Sequence, residues 1–243
     1  MEQFARLFPD RAEGLTATDL AAAVPGEPPA DRPFVLANMI ATADGRATIA
    51  GRTATMANRA DYELFHALRA RVDAVMVGAE TVRVESYGRM IVSEEARAAR
   101  EREGMPGDGM AVLVTRSAAV PADVGMLRAP ENRVVVLTPS PDATLPPAEA
   151  QVSYLRAPVV EGVRRLRTEL GVRSLLCEGG PQLLGDLVRA GLVDELHFVL
   201  APKLAGGNAP LTILSGDDVE PPSDLRLVSV HEAGGYLFVR YAF

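Results

Sequence analysis

The segment SLLCEGGPQLLGDL joins a short apolar run to two glycines and an amphipathic stretch. The pattern predicts a strand over Ser174–Glu178 and a helix over Pro181–Ala190, with proline in the favourable first turn. Gly179 and Gly180 allow a close approach of the backbone to a ligand, and the positive end of the helix dipole favours a phosphate there. Glu178 is then placed where open α/β sheets bind their ligands. The alternative is a tight strand-to-helix turn that binds nothing.

Three further polar groups each follow a predicted strand. Thr81 comes just after AVMVG, and it either donates to a phosphate or caps the helix that follows. Arg116 stands between two hydroxyl residues and offers fork-shaped donors to a phosphate, although a lone loop arginine is more often only solvated. The stretch from Asn38 to Thr55 is rich in threonine hydroxyls. It is either a ligand-binding loop or a surface loop with helix-capping threonines.

The sequence gives little support for a metal site or for the common hydrolase, kinase and dinucleotide-binding motifs. The three histidines, His66, His197 and His231, are scattered and form no metal-binding or catalytic pair, so we interpret them as structural. There is no G-x-S-x-G elbow, no P-loop and no G-x-G-x-x-G fingerprint. Cys177 is the only cysteine, which excludes a disulfide framework and a multi-cysteine zinc site. We therefore expect no metal.

The elements that position these groups alternate between aliphatic strands and amphipathic helices. The predicted strands are Phe34–Thr42, Ala74–Gly78, Met110–Thr115, Arg133–Thr138, Gln151–Arg156, Ser174–Glu178 and Glu195–Ala201, followed by a hairpin of Leu225–His231 and Tyr236–Tyr241. The predicted helices are Asn58–Arg71, Val160–Leu170 and Pro181–Ala190, with Glu94–Glu103 an exposed helix or an ordered loop. This order predicts an α/β fold: a single three-layer domain with a mixed, mostly parallel sheet and a C-terminal antiparallel hairpin. Residues 1–33 are predicted to form an N-terminal arm with one short helix around Ala17–Ala23, and residues 34–243 the main domain.

Composition limits the classes of partner. The chain has 25 basic and 32 acidic residues and a formal charge of -7, which disfavours nucleic acid and anionic membranes. A phosphorylated small molecule can still bind, through a local cluster of donors. No apolar run approaches the ~20 residues of a membrane span, and the N-terminus has no signal-peptide pattern, so we expect a cytoplasmic location.

Four stretches, in this order and spacing, resemble a known family. They are ATADGRAT, FHALRARVDAVMVGAETVR, CEGGPQLLGDLVRAGLVDEL and APKLAGG. Together they resemble the reductase domain of the bifunctional riboflavin-biosynthesis deaminase-reductases and its stand-alone relatives, over roughly Arg32 to Phe243. The deaminase domain of that family is missing, since it needs a cysteine pair for zinc. The resemblance therefore implies a stand-alone reductase, or a paralogue with another substrate.

The resemblance implies a dihydrofolate reductase-like fold, a homodimer and a specific reaction. In that reaction NADPH reduces the ribosyl group of 5-amino-6-(5-phosphoribosylamino)uracil to ribityl, by hydride transfer to the sugar C1′ carbon. The cofactor carries the chemistry, and the protein orients it and supplies a proton. The Gly179–Gly180 peptide is expected to be cis, as in dihydrofolate reductases. A dimer is also consistent with the aliphatic strand near the chain's end and with the commonness of two-fold oligomers.

Site residues follow by position from the same resemblance. Glu178 is implied as the catalytic residue and a substrate contact, and Arg69 as the holder of the 5′-phosphate. The other implied substrate contacts are Asn38, Thr53 and Arg89. The implied cofactor contacts are Ile40, Thr55, Thr81, Glu85, Arg116, Gly179, Gly180, Pro181, Gln182 and Leu183.

The chain departs from the family pattern at several of these positions. A frequent lysine on the first strand is Asn38 here, which removes a candidate proton donor. An Asp-Asp-Pro run is replaced by Glu85-Ser86-Tyr87, and a common tryptophan by Thr55. The second substrate arginine falls on Val92, and Arg89 is the candidate to reach the same phosphate.

Three functions are compatible with the sequence. The first is the riboflavin-pathway pyrimidine reductase. The second is an NADPH reductase of the same fold that acts on a dihydropterin or another heterocycle. The third is a nucleotide-binding protein without catalysis. A requirement for the 5′-phosphate separates the first two, and any oxidation of NADPH by a substrate excludes the third.

Overall fold

The structure is a computed structural model that describes residues 1–208 and 211–243. The chain forms two compact units. The first unit comprises Met1–Val24, Val35–Leu68 and Gly179–Phe243, and the second comprises Pro25–Phe34 and Arg69–Glu178. Each unit has its own group of strands.

The strands and helices are numbered in chain order. The strands are β1 (Phe4–Phe8), β2 (Ala12–Leu15), β3 (Phe34–Thr42), β4 (Ala74–Gly78), β5 (Met110–Val114), β6 (Arg133–Thr138), β7 (Gln151–Arg156), β8 (Ser174–Cys177), β9 (Glu195–Ala201), β10 (Arg226–Ala233) and β11 (Tyr236–Ala242). The helices are α1 (Ala17–Ala21), α2 (Arg59–Arg71), α3 (Ala79–Glu85), α4 (Glu94–Arg102), α5 (Gly125–Arg128), α6 (Val159–Thr168) and α7 (Pro181–Arg189).

The second unit contains five parallel strands in the order β8-β4-β5-β6-β7. Their aliphatic side chains are largely buried on both faces, as the continuous hydrophobic runs of parallel strands require. Gly78 at the end of β4 lies opposite Val114 of β5, and Met76 lies opposite Cys177 of β8. The residues that follow these strands, including Glu178, Thr81 and Arg116, therefore leave the same edge of this unit.

The first unit has mixed strand directions, in the order β3-β9-β11-β10-β1-β2. Strands β3 and β9 are parallel, and the other neighbours are antiparallel. Strands β10 and β11 form a hairpin that turns at Gly234 and Gly235, both with positive φ. The predicted α/β class, mixed sheet and C-terminal antiparallel hairpin are confirmed.

Residues 1–33 contain more structure than the one helix that the sequence predicts. Helix α1 is present, and Thr16 and Asp19 form a capping box at its start. Strands β1 and β2 precede it, and β1 pairs with β10. The buried Phe4 of β1 packs edge-on against Phe238 of β11, with ring centroids 5.0 Å apart. The division into an arm and a main domain stays a prediction.

The charged stretch Glu94–Glu103 is a helix, α4, rather than a loop, and one of its side chains is internal. Arg100 is 1% exposed, and its Nη1 donates to the carbonyls of Arg69, Ala70 and Val72. It thereby satisfies carbonyl groups at the C-terminal end of α2, which lack partners within that helix. Across the described residues no helix is both long and apolar enough to cross a lipid bilayer.

Two buried histidines of the first unit make acid stability a testable property. Burial lowers the pKa of His197 to about 3 and that of His231 to about 4, and nearby cationic groups add to the effect. An unfolded histidine titrates near its ordinary pKa of about 6.5. As pH falls below about 6.5 the unfolded chain therefore takes up protons that the folded chain does not. The stability from these neutral histidines is complete above pH 6.5 and is lost as pH falls toward the folded pKa values.

We expect the difference in His197 pKa between the folded and unfolded chain to lower the free energy of unfolding by about 2–3 kcal/mol when the pH falls from 7 to 4.5. Urea titrations at both pH values will measure this. Asp61, whose pKa burial raises to about 6, acts in the opposite direction over the same window. The pH dependence should therefore be compared with that of His197→Leu. An equal pH dependence in both proteins would contradict the expectation.

Candidate active site

Glu178 is held by two partners in the interior of the second unit. Arg69 donates from Nε to Glu178 Oε1 and from Nη2 to Oε2, both at 2.7 Å, in a bidentate ion pair. The Tyr87 hydroxyl donates to Glu178 Oε2, also at 2.7 Å. The Arg69 guanidinium also lies over the Tyr87 ring, 5.0 Å from its centroid. The side chains of Arg69 and Glu178 are only 6% and 1% exposed.

Electrostatics reinforce this cluster. Burial opposes the charge on Arg69, but the Glu178 carboxylate outweighs it and raises the Arg69 pKa above its ordinary value. Burial, and then the same carboxylate, raise the pKa of Tyr87 well above its ordinary value. Arg69 therefore stays charged and Tyr87 stays a hydrogen-bond donor across the physiological pH range.

The ion pair bears on the predicted substrate contacts of Arg69 and Glu178. The structure brings the two residues together, as their shared assignment to the substrate implies, but it directs each side chain at the other. Arg69 Nη1 points toward the Met90 carbonyl at 3.5 Å. A phosphate on Arg69 would have to share the guanidinium with Glu178. Direct contact of either residue with a substrate stays a prediction.

Arg89 also forms an ion pair, at a more exposed position. Its guanidinium binds both carboxylate oxygens of Asp108, at 2.8 and 2.5 Å, and Glu131 lies 3.6 Å away. The hydrogen bonds that Arg89 donates to Asp108 are the main cause of the raised pKa of Arg89. The buried Asn132 fixes the adjoining backbone, because it donates to the Gly88 carbonyl and accepts from the Met90 amide. The predicted phosphate contact of Arg89 is likewise untested.

The predicted cofactor residues of the second unit lie where β4 and β5 end. Thr81 is in the first turn of α3, and Glu85 is the last residue of that helix. Arg116 is exposed, and within the described residues it forms no ion pair. The loop that carries it is ordered, since Thr115 Oγ1 accepts from the Ala118 amide and Arg83 donates to the Ala119 carbonyl. Arg116 is thus an accessible cation on an ordered loop.

The Gly179–Gly180 peptide bond is cis, as the resemblance implies. Gly179 has φ of +86°, a conformation that favours glycine, and a Cβ there would meet the Met39 side chain at 3.3 Å. Helix α7 follows at once, with Gly180 as its N-cap and Pro181 as its first residue. Its first intrahelical bond runs from Leu184 to the Gly180 carbonyl, so the amides of Gln182 and Leu183 are available to an acceptor.

Asp44 holds the loop after β3 to the segment that follows β9. Asp44 accepts from the Thr42 hydroxyl and from the amides of Ala205 and Gly206. These bonds, the Thr42 hydroxyl first, lower the pKa of Asp44 to about 2. Asp44 is therefore ionised at neutral pH, and its hydrogen bonds hold the loop to the segment after β9.

The predicted contacts in this loop have local partners. Thr55 is exposed, and its hydroxyl donates to the Ile49 and Arg52 carbonyls, at 3.3 and 3.2 Å. Lys203, the chain's only lysine, donates from Nζ to the Thr55 carbonyl at 2.9 Å. Thr53 is partly buried, and its carbonyl accepts from the Met56 amide.

Asn38 and Ile40 lie on β3, opposite His197 and Val199 of β9. Both are partly buried. The Asn38 Oδ1 atom is buried and has no hydrogen-bond partner within the described residues. An acceptor in that state commonly receives a hydrogen bond from a ligand or an ordered water.

Four residues with a clear positional role were absent from the predicted site: Tyr87, Asn132, Asp44 and Lys203. Only Asp44 had a sequence signal, because Asp44-Gly45 predicts a turn. Tyr87 stands where the family has proline, and this departure was visible but gave no indication of a bond to Glu178. Asn132 and Lys203 gave no local signal.

Comparison with known proteins agrees with this geometry. The chain matches the RibD C-terminal domain family over residues 33–238. It is 28% identical to the 2,5-diamino-6-ribosylamino-4(3H)-pyrimidinone 5′-phosphate reductase of Methanothermobacter thermautotrophicus, over 86% of this chain and 98% of that protein. A protein of the same name from Archaeoglobus fulgidus is also 28% identical, over 76% and 88%.

The fold has a counterpart among solved structures. A pyrimidine reductase-like protein from Corynebacterium diphtheriae superposes with a TM-score of 0.75 and 22% identity, over 94% of this chain and 98% of that one. With most of its length matched by one family, and with the fold and the strand-glycine-helix segment in place, this chain belongs to the RibD C-terminal domain family.

Proposed function

We propose that this protein is an NADPH-dependent reductase of a 6-ribosylaminopyrimidine 5′-phosphate in riboflavin biosynthesis, which converts the ribosyl group to ribityl. The match to the RibD C-terminal domain family over residues 33–238 carries this proposal. The names of the two archaeal relatives, both pyrimidinone 5′-phosphate reductases, support the substrate class. We also propose a cytoplasmic location, in keeping with the acidic composition.

Each unit offers groups of the kind that bind a dinucleotide. In the first unit the amides of Gln182 and Leu183 at the start of α7 suit a pyrophosphate, and in the second unit the exposed Arg116 suits a phosphate on the ribose. When bound, NADPH would supply the hydride. We propose Ile40, Thr55, Thr81 and Glu85 as further cofactor contacts, together with the Gly179–Pro181 backbone.

Replacing Arg116 with alanine should weaken NADPH binding roughly tenfold or more, because a bidentate arginine–phosphate contact contributes ~1.5–3 kcal/mol. Binding of NADH, which lacks the 2′-phosphate, should hardly change. Fluorescence titration with both cofactors will measure this. The exposed Arg128, which is paired with Glu149, offers a matched control for loss of a surface charge. Equal losses for NADPH and NADH would show that Arg116 does not bind the 2′-phosphate.

The protein's own part in the reaction is to hold the sugar and to deliver a proton. We propose Thr53, Asn38, Arg69 and Arg89 as substrate contacts. Glu178 accepts hydrogen bonds from a substrate amino or hydroxyl group. Asn38 has an amide and cannot serve as an acid, so we propose that the proton reaches the reduced centre through water. Close alignment of the two reacting carbons supplies most of the rate.

The experiment that tests this function is NADPH oxidation against a small panel of substrates. The panel contains 5-amino-6-(5-phosphoribosylamino)uracil, its 2,5-diamino-pyrimidinone counterpart, the dephosphorylated form of each, and dihydrofolate. We expect turnover with a phosphorylated pyrimidine and a ribityl product by mass spectrometry. Turnover of dihydrofolate alone would support the dihydropterin alternative. Cofactor binding with no turnover on any compound would support the non-catalytic one.

We further propose that the protein is a homodimer. Two-fold symmetric dimers are the commonest closed oligomers. Apolar side chains at the surface of the first unit, including Phe8, Leu227 and Phe243, are 36–44% exposed. Light scattering should give about 52 kDa, twice the 25.8 kDa of the chain. A 25.8 kDa particle at micromolar concentration would contradict the dimer.

A further inference from the structure

The first unit contains a cavity that the proposed reaction does not use. Its volume is about 240 Å³, far more than a single water molecule needs. Strands β1, β2, β9, β10 and β11 line it, together with α1 and one side chain of α2. None of the proposed substrate or cofactor contacts belongs to its wall.

Strand register places basic side chains in neighbouring rows of this wall. His197 of β9 lies opposite Arg240 of β11, which lies opposite Ser229 of β10. In the next row, His231 of β10 lies opposite Arg6 of β1. Because side chains alternate along a strand, these residues point to the same face, and all five line the cavity.

Several of these polar groups lack a partner. The His197 side chain is 8% exposed, and its Nε2 has no hydrogen-bond partner within the described residues, although Glu195 Oε2 lies 3.9 Å from it. Arg6 uses only its Nε, which donates to the Asp10 carbonyl. The hydrogen bonds of the described chain likewise assign no partner to the Ser229 hydroxyl or the His231 ring. A buried polar atom of this kind is costly unless a ligand or water satisfies it.

The carboxylates near the cavity already accept hydrogen bonds from other residues. Glu195 accepts two hydrogen bonds from Arg240, at 2.8 and 2.6 Å. Asp19 accepts from the amide and hydroxyl of Thr16 in the capping box of α1. Arg6 is therefore left without a compensating anion, in a chain whose overall charge is -7.

The rest of the wall is apolar. It includes Leu20 of α1, Leu64 of α2, and Val199 and Phe238 from the strands. An inorganic anion would leave these surfaces uncovered, whereas an organic molecule with a compact apolar body would cover them.

From these contacts we infer that the cavity is a second ligand site, which binds a small organic carboxylate with its charge toward Arg6, Ser229 and the two histidines. The site is separate from the reductase site, and its occupant is neither NADPH nor the pyrimidine substrate. The ligand's carboxylate supplies the acceptor that the wall lacks, and its apolar body lies against the leucine and phenylalanine side chains.

Binding at this site should be linked to protons. The charged and titratable groups that face the cavity or pair with its wall are Arg6 of β1, Asp19 of α1, Glu195 and His197 of β9, His231 of β10 and Arg240 of β11. A bound anion favours the protonated form of the neighbouring histidines. Binding then takes up protons, and affinity rises as pH falls.

The test is isothermal titration of the full chain with benzoate at pH 5 and pH 7, with benzamide as the uncharged isostere and phosphate as an anion without an apolar body. We expect benzoate to bind several-fold more tightly at pH 5, and benzamide and phosphate to bind at least tenfold more weakly than benzoate. Arg6→Gln should weaken benzoate binding at least fivefold, whereas Arg11→Gln, an exposed neighbour outside the cavity, should not.

Ser229→Ala provides a second variant whose small side chain leaves the strands intact, and it should weaken benzoate binding several-fold. Circular dichroism will verify the fold of each variant. The absence of benzoate binding at millimolar concentrations would overturn the proposal. Equal binding of benzamide, or unchanged affinity in both Arg6→Gln and Ser229→Ala, would do so as well. NADPH oxidation by the wild-type protein is measured separately, so that failure of this site is distinguishable from failure of the reductase function.

Discussion

Replacing Arg69 with methionine is expected to lower the free energy of unfolding by about 3–5 kcal/mol, the usual cost of breaking a buried ion pair from one side. The methionine would leave the Glu178 carboxylate in the interior with only the Tyr87 hydroxyl as a partner. Glu178→Leu should cost a similar amount, because it removes the carboxylate that compensates the buried charge of Arg69. Chemical denaturation followed by circular dichroism will measure both.

The control is Arg71→Met in the same helix. Arg71 is paired with Glu103 at 2.7 Å, but both side chains are substantially exposed, so its loss should cost no more than about 1 kcal/mol. The double variant Arg69→Met/Glu178→Leu should recover most of the lost stability, since an apolar pair can replace a buried ion pair at little cost. A double variant as unstable as the sum of the two single variants would contradict this account.

The same double variant should lose reductase activity by about 100-fold or more, even where it is stably folded, because removal of a group that positions or transfers a proton typically costs that much. Glu178 directly precedes the Gly179–Gly180 turn into α7, at the edge where ligands bind in open α/β sheets. The measurement is kcat and KM for NADPH oxidation with the phosphorylated pyrimidine. NADPH affinity should stay nearly intact.

Tyr87→Phe separates orientation of the carboxylate from its presence. This variant keeps the Arg69–Glu178 pair and removes one hydrogen bond to Oε2, so it should reduce kcat by less than the double variant. Full activity in the double variant would show that the pair is structural only. A loss confined to KM for phosphorylated substrates would instead favour the phosphate-binding role of Arg69.

The strands of the second unit were predictable because their aliphatic runs are a local property. LLC and AVMV are uninterrupted apolar runs, and Gly78 directly follows the second of them while Gly179 comes two residues after the first. Strands β1 and β2 were missed because AEGL has no apolar alternation and because β1 depends on pairing with β10, more than 200 residues away. The sequence does not decide between a helix and an ordered loop for α4, because the buried Arg100 is indistinguishable in sequence from the exposed arginines around it.

The site residues divide in the same way, into those that a local segment determines and those that depend on contacts between distant segments. The Gly179–Gly180 turn and its helix are contiguous in sequence, so a short segment was sufficient to predict them. Arg69 and Glu178 are 109 residues apart, and the resemblance implied both as substrate contacts without indicating that they bind each other. Tyr87 entered no prediction, since its hydroxyl bond depends on how three segments pack.

Strands β1 and β2 also change what the rim of the first unit presents to other molecules. Without them, the eight-residue β10 would end the strand order, with a row of unpaired amide and carbonyl groups that can template intermolecular pairing. In the folded chain β1 occupies that row, and the outermost strand is the four-residue β2. Both pairings of β1 are irregular in register, and short, irregular strands are poor templates. The N-terminal segment thereby protects the protein against aggregation through its sheet.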